Sequence, residues 1–386
     1  MMYRHTLIFA AACLGMLLFG IVFLSLGTVS VYIQEQFTAD EPGIASLASI
    51  LPAGMLVGSV VFGPVVDRYG YKMLLILCTG LLVIAFESVA FAGSVRMLQV
   101  SYFIIGFGGG VLNGGTNALA SDITHKKKGA RLSLLGVFFG IGALGMPVVI
   151  GSLSSYFPVD KIISGIGFFL LIPLIFFLFI RFPEPKLKQG FPLRQAFSLL
   201  KEPVLLLLGM VLFFESALEG IVGNWTTSYL NEAGLQDRHA LYALSCQVAA
   251  IALTRLALSR LLKNISPRLV IYACLAFIFT GALILMNTNS FFTAVMGMIC
   301  LGIGFAAGFP VILGYVGELY TSVSGTAFSI VIVMALTGNT LLNYITGIIS
   351  NRYGMHYFPA ILILCVIFMV VIFTLVTHHI SKKIMV

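Results

Sequence analysis

Twelve apolar runs follow one another through this chain, each long enough to cross a bilayer core of about 30 Å as a helix of roughly 20 residues. They fall near residues 5–33, 42–66, 71–92, 95–121, 131–155, 161–181, 202–231, 238–258, 267–287, 290–317, 323–350 and 356–378. Of the 386 residues, 59% are hydrophobic and 9% charged. That is too little polar surface to cover a water-soluble domain, so the surroundings must be lipid. The first run is far longer than the apolar region of a signal peptide and reads as the first span. The expected fold is an all-α membrane protein. Its longest connection, 182–201 (FPEPKLKQGFPLRQAFSLLK), is rich in Pro and basic residues and divides an N-terminal six-helix bundle, 1–181, from a C-terminal one, 202–386.

Charge sets the direction of the spans. With the N-terminus in the cytoplasm, eighteen of the 22 Lys and Arg residues fall at cytoplasmic span ends, and only Arg96, Lys161, Arg238 and Arg352 fall outside. Glu35, Asp40, Glu41, Asp160, Glu232 and Asp237 also fall outside. This is the bias expected of a protein in a bacterial inner membrane with both termini cytoplasmic. The net charge of +8 is then an orientation device rather than a nucleic-acid surface. The six cysteines lie scattered inside apolar runs, a spacing that fits neither a disulfide framework nor a zinc site. There is no His-Glu-x-x-His pattern and no Gly-rich phosphate loop with Lys-Ser/Thr. The expectation is a protein that is not an enzyme, works as a monomer, and has no metal and no cofactor beyond a coupling cation, proton or sodium.

The chain carries an internal repeat. Gly106-Phe107 and Gly110 in span 4 recur as Gly304-Phe305 and Gly308 in span 10, 198 residues on. Beyond the next loop the offset is 196, pairing Gly129 with Gly325, Ser133 with Ser329 and Gly151 with Gly347, which implies a two-residue indel between them. Repeated bundles are a common architecture of transporters, with the solute site where the repeats meet.

Between spans 2 and 3 stands GPVVDRYGYK, with Gly63, Asp67, Arg68, Gly70 and Lys72. Gly63 permits close helix approach, and Asp67 can accept hydrogen bonds from a neighbouring helix N-terminus and pair with a basic residue. The run resembles the G-x-x-x-D-R-x-G-x-K signature of the major facilitator superfamily, where it would act as a gating latch. A lookalike, Gly347 to Gly354, carries Asn351 in place of the acid and reads as a helix end.

Span 7 (FFESALEGIVGNWTTSYL) places Glu215 and Glu219 one turn apart on one face, with Trp225, the chain's single tryptophan, nearer the outer end. Ionisable groups at that depth are costly and mark either a solute or cation site or a buried hydrogen-bond network. Span 4 (GGVLNGGTNALASDI) presents Asn113 and Asn117 on one face. Span 11 repeats the device with Asn339 and Asn343, and span 8 offers Gln247. Amide side chains both donate and accept, which suits paired recognition of sugar hydroxyls as well as plain interhelical packing. Trp225 suits stacking on a sugar ring or an interfacial belt. The glycines and Pro147 of GIGALGMPVVIG in span 5 read as scaffold. Glu87, Asp122 and Glu318 read as structural pairings, and Arg255 with Arg260 as a degraded second latch.

The span 7 and span 4 patterns resemble the fucose:proton symporter and sodium- or proton-linked glucose transporter branch. That resemblance implies two six-helix bundles related by pseudo-two-fold symmetry, a cavity lined by spans 1, 4, 7 and 10, and ion-coupled alternating access for a monosaccharide. The branch's acid in span 1 is missing here, and span 4 has Asn113 where an acid is expected, so coupling would pass to Glu219 with Glu215. Two alternatives stand beside it: efflux of amphipathic cations, and a non-transporting membrane sensor.

Overall fold

The computed structural model describes residues 5–37, 42–124, 126–186, 197–288 and 290–384, and all regular structure among them is helical. Twelve helices are long and apolar enough to cross a membrane: His5–Val29, Ser46–Tyr69, Tyr71–Ala90, Val95–Asp122, Lys128–Leu153, Val159–Phe179, Pro203–Glu232, Arg238–Leu261, Pro267–Met286, Phe291–Leu319, Thr321–Tyr353 and Met355–His379. We number them spans 1 to 12. Most of the expected divider, residues 187–196, lies outside the described residues. Span 5 starts at Lys128, earlier than hydropathy implies, and span 11 opens with a 3-10 turn, Thr321–Val323, before its α-helix begins at Ser324.

Two spans are interrupted. Span 6 consists of Val159–Phe169 and Leu171–Phe179. Span 10 runs as a helix over Phe291–Phe305, breaks at Ala306 and Ala307, and resumes as Gly308–Leu319. Its repeat counterpart, span 4, is one continuous helix over Val95–Asp122.

The chain forms two compact units. Unit 1 is Met1–His125, Leu135–Ala196 and Tyr320–Ser329; unit 2 is Lys126–Leu134, Phe197–Leu319 and Ile330–Val386. The first turns of span 5 therefore belong with unit 2 and those of span 11 with unit 1.

Close helix contacts reveal the repeat at a single offset. In unit 1 a methyl at Gly106 would collide with the carbonyl of Leu51, and in unit 2 a methyl at Gly302 would collide with the carbonyl of Gln247. Both members of the pair are displaced by 196 residues. The same offset relates Gly108 against Cys78 and Leu82 to Gly304 against Cys274 and Ile278, and Gly142 against Leu17 to Gly338 against Phe213. It also relates two hydrogen bonds: Ser133 Oγ donates to the Arg255 carbonyl at 2.7 Å, and Ser329 Oγ donates to the Ser59 carbonyl. Ser94 and Ser290, again 196 apart, cap spans 4 and 10. The expected pairing of Gly106 with Gly304 and Gly110 with Gly308 is thus corrected. The true partner of Gly106 is Gly302, and no indel separates the halves.

Within span 5 Gly142 makes a tight approach, while Gly140, Gly145 and Gly151 have open space. We expect Gly142→Val and Gly338→Val each to destabilise by about 1–3 kcal/mol through overpacking, and Gly145→Ala to be neutral. Thermal unfolding in detergent checks all three.

Candidate functional site: the charged cluster of spans 7 and 8 and the Asp67 latch

Glu215, buried at 1% exposure, points from span 7 at the break in span 10, where its carboxyl lies against Gly308. Only a residue without a side chain leaves room for it. Its Oε1 is buried and has no hydrogen-bond partner. One turn on, Glu219 Oε1 accepts from Arg255 Nη2 of span 8 at 3.3 Å, an ion pair in which the side chains keep 29% and 10% exposure. Arg255 Nε is also buried without a partner. The cluster therefore holds two carboxyls, one guanidinium and two buried polar atoms that still lack partners. Unpaired buried polar atoms are costly, and their presence together makes this cluster the candidate site.

The repeat sharpens that reading. At the equivalent positions 196 residues earlier, unit 1 has Phe19, Phe23 and Ser59. Phe19 and Phe23 form an aromatic cluster with Phe139, at centroid distances of 5.2–5.9 Å. One half fills this place with hydrocarbon and the other with charge. Arg255 was read from the sequence as part of a cytoplasmic latch; instead it is buried and pairs with Glu219.

The other polar residues differ in how their donors are used. Asn117 Nδ2 donates to the Asn113 carbonyl at 2.8 Å and to Asn113 Oδ1 at 3.1 Å, in unit 1. Asn113 is half-buried, and no donation from its own amide is present among the described residues. In unit 2, Asn339 Nδ2 donates to the Ser216 carbonyl at 2.9 Å, Asn343 Nδ2 to Asn339, and Asn224 Nδ2 to Asn343 Oδ1 at 3.0 Å. These form a seam between spans 7 and 11 across Gly220. Trp225 is half-buried with its ring edge beside Gly347 of span 11 and its Nε1 buried without a partner. Gln247 is buried where spans 8 and 10 cross. Away from these groups, Glu87 accepts from Ser164 Oγ at 2.7 Å.

The span 2–3 signature forms a cap. Asp67, 1% exposed, accepts from Gly325 N at 3.2 Å, Thr326 N at 2.9 Å and Thr326 Oγ1 at 2.8 Å, the first turn of span 11. A carboxylate at a helix N-terminus satisfies donors that have no partner within the helix. Gly63 allows this: a side chain there would collide with Gly325 and Ser329. Gly70, at φ 82°, turns the chain into span 3. The lookalike makes the same turn at Gly354, φ 89°, where Glu232 accepts from Met355 N. Arg68 stacks over the Tyr69 ring at 5.7 Å, and Lys72 is exposed.

Beside the cap, Asp122 accepts from Tyr71 Oη at 2.5 Å and Ser324 Oγ at 2.8 Å, and pairs with Lys186 at 2.8 Å. Its repeat partner Glu318 accepts from the backbone of Lys128, the first residue of span 5. The Asp67 cap has no counterpart, because position 263 is Lys. There unit 2 leaves a cavity of about 410 Å³ lined by Lys127, Gly129, Lys263, Tyr315 and Glu318.

Residues 8–286 match the family profile described as Major Facilitator Superfamily. The chain belongs to that superfamily. It is a multi-pass membrane transporter and not an enzyme. Among curated proteins it is 23% identical over 358 residues to the MFS-type transporter YfkL of Bacillus subtilis, covering 88% of this chain and 87% of that one. It is 25% identical over 178 residues to the multi-drug resistance efflux pump PmrA of Streptococcus pneumoniae, covering 45% and 44%. Among solved structures, FucP, the Escherichia coli fucose:proton symporter, in its outward conformation, superposes with a TM-score of 0.81 at 17% identity, over 95% of this chain and 98% of that one. That likeness establishes the shared fold.

Proposed function

We propose that this transporter moves a small hydroxylated solute, a monosaccharide, across a bacterial inner membrane by alternating access, coupled to a proton or sodium gradient. The observation that carries the reading is the charged cluster Glu215, Glu219 and Arg255, placed in the membrane where the repeat has Phe19, Phe23 and Ser59. Carboxyls in a membrane interior serve ion movement when they change partners as the protein changes state. Asn113 and Asn117 supply hydroxyl-sized donors and acceptors. The charge bias supports cytoplasmic termini, and the fold shared with FucP, a fucose:proton symporter, supports a sugar.

In the cycle, the first turn of span 11 leaves the Asp67 cap in one state and returns to it in the other. Each half carries its own polar set, so a monomer suffices. Similarity to PmrA supports a second reading, efflux of amphipathic cations bound by the two glutamates.

One experiment separates the two. The purified protein in proteoliposomes is given a panel of radiolabelled sugars and cationic dyes, with and without proton and sodium gradients. The sugar reading predicts gradient-dependent accumulation of one sugar group and no dye movement; dye movement alone overturns it. Within the sugar reading, Asn113→Ala is expected to raise KM about fivefold, since a hydrogen bond is worth about 1 kcal/mol, with unchanged thermal stability. Asn339→Ala is expected to lower stability by about 1 kcal/mol instead, because its amide is already used in the seam.

A further inference from the structure

We propose that the work of the two span 7 carboxyls is divided: Arg255 holds Glu219 as a fixed carboxylate, and Glu215 alone carries the exchangeable proton, at the hinge of span 10. This rests on the ion-coupled reading above and assigns its parts. Two carboxyls share one guanidinium, and the guanidinium is bonded to Glu219, the more exposed of the two. Glu215 is buried, faces the break at Ala306 and Ala307, and keeps Oε1 without a partner. A carboxylate in that position would be an uncompensated buried charge, whereas a carboxylic acid is neutral there.

The groups around Glu215 support the division. They are Glu219 on its own helix, Arg255 from span 8 and Cys274 from span 9; span 10 brings Gly308, which has no side chain. No cation other than Arg255 acts on Glu215 among the described residues, and Arg255 is committed to its neighbour. The hinge and the acid occur together and only in the second half. Span 4 is unbroken at the equivalent place, and position 19 is Phe. In the proposed step, a hydronium ion in the water on one face gives up a proton, breaking its O–H bond and leaving water; an O–H bond forms on the Glu215 carboxylate, and the neutral acid packs against Gly308. When span 10 straightens or shifts and water reaches the acid from the other face, the proton leaves to that water. Arg255 is a positioning residue: it keeps its charge and fixes which carboxyl is neutral.

The division makes a distinctive prediction for the double variant. Glu219→Gln alone frees Arg255 to pair with Glu215 and strip its proton, so coupling is lost. Glu219→Gln with Arg255→Gln removes the pair together and leaves Glu215 as it was, so coupling returns.

The test is infrared spectroscopy of the purified protein at neutral pH, read at the carbonyl band of protonated carboxyls. It needs no transported solute, so it reports even if the sugar assignment fails. Wild type minus Glu215→Gln should show a positive band, and wild type minus the double variant should be flat there. A flat wild-type minus Glu215→Gln spectrum overturns the proposal, because Gln is nearly isosteric and does not threaten folding. In proteoliposomes, gradient-driven accumulation should be lost in Glu215→Gln and retained in the double variant; the reverse pattern also overturns it. Wild type that shows the band but moves no ions contradicts ion coupling and leaves the location of the proton standing.

Discussion

Asp67→Ala is expected to destabilise the protein by about 2–4 kcal/mol, the cost of leaving buried N–H and O–H donors without a charged acceptor. Three donors lose their partner together: Gly325 N, Thr326 N and Thr326 Oγ1. Gly63 brings the two backbones into direct contact, which seats the carboxylate against these donors. Asp67→Asn keeps one acceptor oxygen and should cost about half as much, and Thr326→Ala, which removes one donor, about 1 kcal/mol. If the cap stabilises one of the two alternating states, its loss also shifts their balance more than tenfold, since about 1.4 kcal/mol corresponds to one decade. Turnover should fall accordingly. Thermal unfolding and transport rate, measured on the same three variants, should rank them in the same order.

The second large effect concerns the ion pair. Arg255→Gln strands the Glu219 carboxylate without a counter-charge. Breaking a buried pair from one side costs about 3–5 kcal/mol, and the lower end applies because the Glu219 side chain keeps 29% exposure. The double variant Glu219→Gln, Arg255→Gln should lose much less, with a coupling of about 1–3 kcal/mol between the two sites. A double-mutant cycle of thermal stabilities measures this. Additive losses would mean that the 3.3 Å contact contributes nothing.

The number of spans was legible in hydropathy because lipid demands about 20 apolar residues for each crossing. The Asp67 cap was legible because a glycine and an acid at fixed spacing admit few other uses. The repeat was legible only in outline. In a chain with 40 glycines the Gly-Phe pair at 106 and 304 was a coincidence that hid the true partner, Gly302. The carbonyls these glycines touch identify the true partner. A uniform search for Ser, Gly and Cys pairs at 196 would have found Ser94 with Ser290 and Cys78 with Cys274.

Arg255 was the main residue misread. It stands in a row of basic residues with Arg260, Lys263 and Arg268, which hydropathy assigns to the cytoplasmic edge. The available signal was depth: Arg255 lies more than a turn inside the end of span 8, among apolar residues, and Glu219 supplies the opposite charge on the preceding span. The two Asn pairs looked alike in sequence because both are i, i+4. Span 11 spends its donors on Ser216 of span 7 and on its own Asn339, and accepts from Asn224, whereas span 4 leaves Asn113 with donors to spare. Tertiary neighbours decide that difference, and helical periodicity cannot supply it.

The central claim is that the carboxyls of span 7 couple solute movement to an ion gradient. Its most direct test compares two fluxes in proteoliposomes carrying Glu219→Gln: accumulation driven by an imposed gradient, and exchange of labelled for unlabelled solute without one. The account predicts that accumulation is abolished while exchange continues near the wild-type rate. Gradient-driven accumulation that survives in Glu219→Gln would contradict it.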